Sequence, residues 1–209
     1  MAAPKTPVAR PRGRPALSDD KLDDMRRHIA DCALRLFQDN GYDAVSMRRL
    51  ASEAGCTVMT LYRYFDRKID ILRQIWAEVF ADLFDQLDQI AAREEDAAVR
   101  LQAIAFGYVD FWLKHRDHYF LVFMSSGVSQ PDVSVFVDDD KVVERFSLIQ
   151  DSLAEALSPK SSAEEIALKT QLLLCALNGI AHNLITISAY PWAEPEALVR
   201  AAVSGTLKA

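Results

Sequence analysis

The sequence predicts an all-α protein of about nine helices, with a small three-helix domain near the N-terminus and a larger helical domain after it. Apolar residues recur at helical spacing through most of the 209 residues, and no stretch alternates polar and apolar residues long enough for a strand. Half of the residues are hydrophobic and only seven are Gly, which suits a compact helical chain with a large core. Prolines divide the later helices, namely Pro131, Pro159, Pro191 and Pro195.

Residues 1–17 are predicted to form a disordered basic arm. They contain four Pro, four basic residues and no acidic residue, and such a segment cannot bury enough apolar surface to fold. Arginines on an extended arm can enter a narrow minor groove of DNA, so Arg12 and Arg14 are candidate DNA contacts. A solvated tail is an equally open alternative. The segment lacks the apolar core of a secretory signal.

The small domain is predicted to span residues 18–66 and to begin with a helix from Asp19 to Asn40. Ser18 is placed to cap this helix and Gly41 to end it. The acidic residues that follow the cap suit the positive end of the helix dipole.

Two short helices joined by a glycine turn follow, in the arrangement of a helix-turn-helix. Ser46 and Thr57 are good N-caps, because their hydroxyls can accept a bond from an unpaired backbone N–H. Gly55 lies between them, where the chain leaves the first helix with positive φ. Ala51 is small enough for the second helix to cross closely over the first, with Leu61 packed between the two.

The second short helix has the composition of a recognition helix that enters the major groove of DNA. Its leading residues are short or apolar and suit contacts with thymine methyl groups; they are Thr57, Val58, Met59 and Thr60. Arg48 adds positive charge to the same segment. Asp66 is placed to cap the next helix. Spacing alone leaves DNA binding and the plain packing of a helical hairpin about equally open.

Phosphate contacts, which fix register rather than sequence, are expected from Tyr62, Tyr64 and Lys68. Lys68 lies in the first turn of the next helix, whose free N–H groups and positive dipole end favour a phosphate.

Three motifs follow one another between residues 18 and 72, namely LFQDNGYDAVSM, RRLASEAGCTVMTLYRYF and DRKIDIL. Together they resemble the DNA-binding domain of TetR-type transcriptional regulators, and LYRYF followed by Lys68 is the most specific part. The resemblance implies phosphate contacts for Tyr62, Tyr64 and Lys68 and base contacts for residues 57–60. Met59 and Tyr64 depart from the residues common in the family, and these departures bear on the operator sequence rather than on the function.

The net charge of -6 is unevenly divided along the chain. Residues 1–80 hold 14 Lys and Arg against 11 Asp and Glu, whereas residues 81–209 hold 10 against 19. An acidic body repels DNA and so helps to orient the basic end. Three scattered cysteines indicate buried thiols in a reducing cytoplasm. No apolar run approaches the roughly 20 residues that span a bilayer, so we expect a cytoplasmic protein without membrane contact.

The larger domain, residues 67–209, is expected to bind an effector and to form the dimer. It should start with a long helix, from about Arg67 to Ala92, that connects it to the small domain. Further helices are predicted near residues 97–115, 117–127, 140–157, 163–188 and 194–206.

An aromatic-rich stretch, residues 105–124, is the candidate effector site. Aromatic side chains with a few polar groups can line a ligand cavity, and in the resembling family this part of the chain usually forms the effector pocket. The candidates are Phe106, Tyr108, Phe111, Trp112, His115, Tyr119 and Phe123, with Asn178 from a later helix. The alternative is that these aromatics simply fill a core. His115 and His118 lie three residues apart, but without a nearby Cys or acidic cluster we expect no metal site.

Two helices near the C-terminus are the candidate dimer interface. The segment TQLLLCALNGIAHNLITISAY is apolar on almost every face and must be covered on all sides. A second copy can supply part of that cover, in a four-helix bundle about a two-fold axis. His182 is expected to be a core polar group with its bonds satisfied. The residues expected at the interface are Phe146, Leu153, Ala176, Gly179 and Ile180.

The sequence therefore predicts a ligand-responsive DNA-binding regulator. A homodimer would hold two helix-turn-helix units roughly 34–36 Å apart on a palindromic operator in double-stranded DNA. A small, largely apolar effector would favour the state that does not bind DNA and so lift repression. Two alternatives are a DNA-binding regulator without an effector and an all-α enzyme. The chain has no nucleophile with a base at useful spacing, no glycine-rich phosphate loop and no HExxH, so we expect no catalytic residue and no cofactor.

Overall fold

The computed structural model of the chain describes residues 19–137 and 140–208, with the side chains of residues 21–134 and 144–208. These residues form ten helices and no strand, so the predicted all-α fold is confirmed. The arm at residues 1–17, with Arg12 and Arg14, and the expected cap Ser18 lie outside the described residues. In chain order the helices are α1 Asp19–Asn40, α2 Met47–Glu53, α3 Val58–Leu61, α4 Lys68–Ala91, α5 Ala97–Lys114, α6 Arg116–Phe123, α7 Gln130–Val137, α8 Asp140–Ala156, α9 Ala163–Thr186 and α10 Pro195–Lys208.

The head of the molecule, as we call α1 to α3, packs around the fully buried side chains of Leu50, Ala51 and Leu61. Gly41 and Gly55 end α1 and α2 with φ of 79° and 64°, a backbone conformation in which any other residue would place a Cβ against its own carbonyl. The predicted glycine turn between two short helices is therefore confirmed.

α4 runs from the head into the body, as we call α4 to α10, and its apolar face is buried along its whole length. The helix begins at Lys68, and the predicted cap Asp66 is wrong by one residue because Arg67 occupies the N-cap position. The Arg67 N–H donates to the Asp70 carboxylate at 2.9 Å. A carboxylate at the third helical position thus satisfies the first backbone donor and fixes where the helix starts.

α5 is the central helix of the body and packs against α4, α8, α9 and α10. Its buried residues include Leu101, Ile104, Tyr108 and Trp112. At Gly107 the helix crosses α4 so closely that a Cβ would meet the side chain of Ile90. None of the helices in the described part of the chain is long and apolar enough to cross a membrane.

α7 is a helix that the sequence analysis did not predict. Pro131 predicts a break there, yet it lies in the first turn of α7, where the missing N–H costs no intrahelical hydrogen bond. The Ser129 carbonyl accepts from the N–H groups of Asp132 and Val133, at 3.0 and 3.2 Å. α6 ends at Phe123, four residues before its predicted end, and the chain then turns through Gly127 at a φ of 81°.

Candidate functional site

The candidate DNA-contacting segment, Thr57–Tyr64, is held at its start by a side-chain cap. The Thr57 hydroxyl accepts from the Thr60 N–H at 3.1 Å and lies 2.9 Å from the Thr60 hydroxyl. α3 itself is one turn long, and the chain then continues through tighter bonds, from the Arg63 N–H to the Thr60 carbonyl and from the Tyr64 N–H to the Leu61 carbonyl. The segment is therefore a short helix extended by a 3₁₀-like turn.

The outer side of this segment presents side chains to solvent. Met59 is 80% exposed and Tyr62 is 49% exposed, while Leu61 between them is completely buried. Thr57 and Arg63 are also exposed, as is Arg48 on the neighbouring helix α2. Because the buried Leu61 fixes the backbone, the exposed apolar, phenolic and guanidinium groups are presented by a rigid support.

Three of the predicted DNA-contacting residues are less accessible than expected. Val58 and Tyr64 are half-buried and pack against the hydrophobic core. Thr60 is half-buried, with its hydroxyl engaged by Thr57. These side chains help to hold the segment on the head in addition to any contact with DNA.

Lys68 has partners inside the head. Its ammonium donates to the main-chain oxygen of Tyr42 at 2.7 Å and to that of Asp43 at 3.4 Å, and it lies 4.1 Å from the centre of the Tyr42 ring. Partial burial lowers the pKa of Lys68, while Asp43 has the opposite effect. Two of the three ammonium hydrogens are thus used within the protein, and one remains for a phosphate.

Arg63 is an exposed cation that the sequence analysis did not include among the DNA-contacting candidates. It follows Tyr62 directly and borders a groove of about 370 Å³ with Arg26, Tyr64 and Phe65 among the lining residues. The sequence does contain a pattern that indicates its exposure. Arg63 lies two residues after apolar Leu61 in a helical segment, and this spacing places the two side chains on different sides.

The candidate effector residues lie in the body, where two polar pairs connect α5 and α6 to α9. The Tyr108 hydroxyl donates to Asn178 Oδ1 at 2.8 Å, and the Tyr119 hydroxyl lies 3.0 Å from His182 Nδ1. Burial raises the pKa of Tyr108 to about 12, against the smaller opposing effects of Trp112 and Asn178. Asn178 and His182 are one helical turn apart on α9, so the two pairs are stacked along that helix.

Trp112 lies at the centre of the aromatic cluster. Its ring centre is 5.2 Å from those of Phe111 and Phe123 and 5.8 Å from that of Tyr119. The buried indole N–H lies near the Tyr108 hydroxyl but forms no hydrogen bond of ordinary geometry with any described residue. The cluster is closely packed, and Phe123 forms its partly exposed outer edge.

The other two effector candidates lie at the margin of this cluster. His115 Nδ1 is 2.8 Å from the Phe111 carbonyl, and the His115 ring lies against the Phe111 ring with a centre-to-centre distance of 4.3 Å. Phe106 borders a separate shallow cavity of about 250 Å³ near the start of α10. Within residues 19–137 and 140–208, no three His, Cys, Asp or Glu side chains come together as a metal site.

The candidate dimer residues divide into two groups. Leu153 is completely buried inside the protomer and Phe146 packs on the Phe84 ring at 4.8 Å. Leu153 therefore has no surface to offer a second copy, which corrects the expectation for that residue, whereas Phe146 is half-buried and stays a candidate. Ala176, Gly179 and Ile180 on α9 are half-buried.

An exposed apolar stripe on α9 was not predicted residue by residue. Leu168 and Leu172 are more than half exposed, and Cys175 is exposed on the same side at helical spacing. α10 lies beside α9, and its exposed residues include three small ones, namely Ala197, Ala201 and Gly205.

Comparison with known proteins supports the interpretation of the head as a DNA-binding helix-turn-helix domain. Residues 29–75 match the family described as "Bacterial regulatory proteins, tetR family". The chain is similar to the HTH-type transcriptional repressor KstR of Rhodococcus jostii (strain RHA1), with 39% identity over 75 residues, which are 36% of this chain and 35% of KstR.

A longer match is with the HTH-type transcriptional activator FasR of Mycolicibacterium smegmatis (strain ATCC 700084 / mc(2)155). It has 27% identity over 115 residues, which are 55% of this chain and 52% of FasR. The alignments thus span about a third of KstR and about half of FasR.

A solved structure matches along almost the whole fold. The transcriptional regulator FadR from Bacillus subtilis in complex with stearoyl-CoA has a TM-score of 0.69, with 14% identity, over 87% of this chain and 97% of FadR. At that identity the similarity concerns the fold alone. The match to residues 29–75, together with the helix-turn-helix geometry of the head, shows that this part of the chain is similar to the DNA-binding domain of bacterial regulatory proteins of the tetR family.

Proposed function

We propose that the protein is a transcriptional regulator that binds a palindromic operator as a homodimer and leaves it when a small, largely apolar effector binds. The observation that carries this proposal is the arrangement of the segment Thr57–Tyr64. Thr57 caps the start of α3 and Leu61 is buried, while Met59 and Tyr62 are exposed to solvent. Exposed short or apolar side chains on a capped helix, flanked by exposed arginines, suit docking in a major groove.

Within this proposal the N-terminal domain, expected to span residues 18–66, makes the DNA contacts. Thr57, Val58, Met59 and Thr60 approach base edges, with Met59 the most exposed of the four. Phosphates are contacted by Arg48, Tyr62, Tyr64 and Lys68, and Arg12 and Arg14 of the arm enter the adjacent minor groove.

The proposed dimer interface lies on α9 and α10, in the domain formed by residues 67–209. Leu168, Leu172 and Cys175 form an exposed apolar stripe, and Ala176 and Gly179 allow another helix to approach closely. Exposed apolar stripes of this kind are characteristic of association surfaces. Two copies of α9 and α10 about a two-fold axis would form a four-helix bundle.

The proposed effector site is the aromatic cluster around Trp112, bordered by Tyr108 and Asn178. An apolar ligand with one hydrogen-bond acceptor suits this cluster, because the Trp112 N–H has no hydrogen bond of ordinary geometry to any residue that the structure describes. The complex of FadR with stearoyl-CoA supports an apolar effector for this fold. KstR is a repressor and FasR an activator; we propose repression for this chain, since the family usually acts in that way.

The experiment replaces Tyr62 with Ala and measures binding by fluorescence anisotropy. The probe is a duplex selected from a random library by the wild-type protein, with a scrambled duplex of the same length for comparison. Loss of the phenol should weaken binding about tenfold, equivalent to about 1.4 kcal/mol, and should do so on both duplexes, because a phosphate contact carries no sequence information.

Tyr190→Ala is the matched control, since Tyr190 is 58% exposed but lies in the body after α9. It should bind both duplexes as tightly as the wild type. A wild-type protein that binds no duplex at low salt, or equal losses in the two variants, would contradict the proposal.

A further inference from the structure

A compact polar cluster connects the start of α4, the part of the body next to the head, to the start of α7. Arg73 on α4 donates from Nε and Nη2 to the main-chain oxygen of Asp132, at 3.2 and 3.0 Å. Its Nη2 also reaches Asp132 Oδ1 at 3.3 Å, and its Nη1 reaches Asp70 Oδ1 at 3.2 Å. One guanidinium thus holds both the backbone and the side chain of a residue 59 positions later in the chain.

The polar groups of this cluster are engaged in hydrogen bonds and ion pairs with one another and are partly shielded from water. The Arg73 side chain is 17% exposed and that of Asp132 is 23% exposed, so solvent screens their attraction less than that of a fully exposed pair. The Ser129 hydroxyl donates to the other oxygen of Asp132. Ser129 and, to a smaller extent, Arg73 and Arg67 hold the pKa of the Asp132 carboxyl below its ordinary value, so the cluster is charged at neutral pH.

A second contact lies at the same junction. The loop between α6 and α7 passes so close to the α1–α2 turn that a Cβ on Gly127 would overlap the Asp43 carboxylate. Lys68, at the start of α4, holds the main-chain oxygens of Tyr42 and Asp43 in the same turn. The loop before α7 is therefore packed against the α1–α2 turn of the head, and the start of α7 is bound to the first turns of α4.

We propose that Arg73 and Asp132 are positioning residues for DNA binding, and that their pairing fixes the orientation of the head relative to the body. This inference rests on the proposed binding of DNA by a dimer. Two heads bind one duplex together only when their separation matches about one helical turn. If the cluster already restricts the orientation of the head in the free protein, less conformational entropy is lost when the dimer binds DNA.

The position of α7 also connects this cluster to the proposed effector site. α7 packs on α8, and Phe146 of α8 lies 6.0 Å from the Phe80 ring, whose centre is 5.9 Å from that of Trp112. A ligand that displaces these rings would move α8 and α7, and with them Asp132. The Arg73–Asp132 pair is thus placed where effector binding can change the orientation of the head.

The test is a double-mutant cycle with Arg73→Gln, Asp132→Asn and both changes together. Affinity is measured by anisotropy on the selected duplex and on the scrambled duplex. Each single change should weaken binding to the selected duplex about three- to tenfold, and the double variant should be no weaker than the worse single variant, because both changes remove one interaction. Binding to the scrambled duplex should change less than twofold.

Arg145→Gln is the matched control, because Arg145 pairs with Asp85 and Asp88 farther along α4, away from the head. It should bind the selected duplex as the wild type does. Additive losses in the cycle, unchanged affinity, or tighter binding by Arg73→Gln would each overturn the proposal. If Arg73→Gln does not fold, Asp132→Asn, which keeps the shape of the side chain, is compared with Arg145→Gln alone.

Hydrogen exchange without DNA separates this inference from the proposed function. Arg73→Gln should speed amide exchange at residues 41–46 and 130–137 while leaving α9 unchanged. Faster exchange there with no DNA binding by the wild type would refute the function but retain the junction. Unchanged exchange there would refute the positioning role even if the wild type binds DNA.

Discussion

Glu78 is a carboxyl group that the fold holds in a half-buried position on α4. Burial raises its pKa, and Asp31 and Asp82 add to the effect, whereas the hydrogen bond from Gln74 at 2.9 Å and the charge of Arg27 oppose it. A folded-state pKa above the unfolded value means that the fold disfavours the ionised form. Glu78 therefore destabilises the fold as the pH rises through its pKa.

Glu78→Gln should raise the melting temperature at pH 7 by about 1–2 °C. The variant keeps the shape and the hydrogen bond to Gln74 but removes the charge. The gain should largely disappear near pH 4, below the ordinary pKa of a glutamate, where the carboxyl is mostly protonated in both the folded and the unfolded state. Differential scanning calorimetry at the two pH values measures this, with Glu95→Gln in the exposed α4–α5 connection as a control that should change neither value. A gain of equal size at both pH values would show that charge is not the cause.

At the scale of single residues, the sequence was informative where partners are close in the chain. Ser46 and Thr57 were predicted as caps because each N-cap hydroxyl meets an N–H three residues later. The contacts of Lys68 with Tyr42 and of Tyr108 with Asn178 connect residues 26 and 70 positions apart. No local pattern encodes such pairs, because they exist only after helices that are remote in sequence have packed together.

At the scale of elements, α3 depends on a cap more than any longer helix does. It has four residues, and so short a helix cannot offset the cost of nucleation by its own hydrogen bonds. Thr57 supplies an acceptor for the Thr60 N–H and a partner for the Thr60 hydroxyl. The orientation of Met59 and Tyr62 therefore rests on one side chain together with buried Leu61.

Thr57→Ala should loosen α3 by about 1 kcal/mol. Amides of residues 58–64 should then exchange hydrogen about fivefold faster, since 1 kcal/mol corresponds to that factor in a local equilibrium. Thr57→Ser retains the capping oxygen and should stay within a factor of two of the wild type. If Ser and Ala give the same exchange rates, capping does not hold the helix.

The elements also show where sequence patterns were ambiguous. Nine of the ten helices in the described residues correspond to predicted segments, and α7 does not. Pro131 indicated a break because proline is excluded from helix interiors, yet the first turn is the one place in a helix that tolerates it. The α7 segment is short, and Arg73 binds it from 59 positions away through the Asp132 main-chain oxygen, a contact that no local pattern encodes.

At the scale of the whole molecule, ion pairing reduces the positive charge that the head end of the chain can offer to DNA. Residues 1–80 hold 14 basic and 11 acidic residues, but Arg67 and Arg73 are paired with Asp70 and Asp132. Arg48 and Arg63 are exposed, and neither forms an ion pair with a carboxylate among the described side chains. Fewer cations are therefore free to contact phosphates than the sequence count implies. Because phosphate contacts supply most of the non-specific affinity for DNA, a single head should bind weakly, which favours binding through two heads.

The sequence narrows the proposed dimer interface only to the choice of helix. Apolar residues on every side of α9 indicated an additional partner, but the sequence did not distinguish the side covered by α5 and α8 from the side left open. In the structure, Leu173 and Leu177 are buried within the protomer, whereas Leu168 and Leu172 are exposed. Leu153 was assigned to the interface because its apolar pattern on α8 looks the same whether a helix is covered by its own chain or by a second copy.

Leu172→Glu should convert a dimer into a monomer. Leu172 is 53% exposed on the α9 stripe, and two glutamates facing each other near a two-fold axis would be desolvated and would repel. Size-exclusion chromatography with light scattering should then give the mass of one chain, and affinity for the selected duplex should fall by at least about tenfold, because one head cannot use both half-sites.

Val99→Glu is the matched control, since Val99 is 49% exposed in the first turn of α5; it should remain dimeric and bind DNA normally. A wild-type protein that is monomeric at micromolar concentration, or a Leu172→Glu variant that stays dimeric, would place the interface elsewhere.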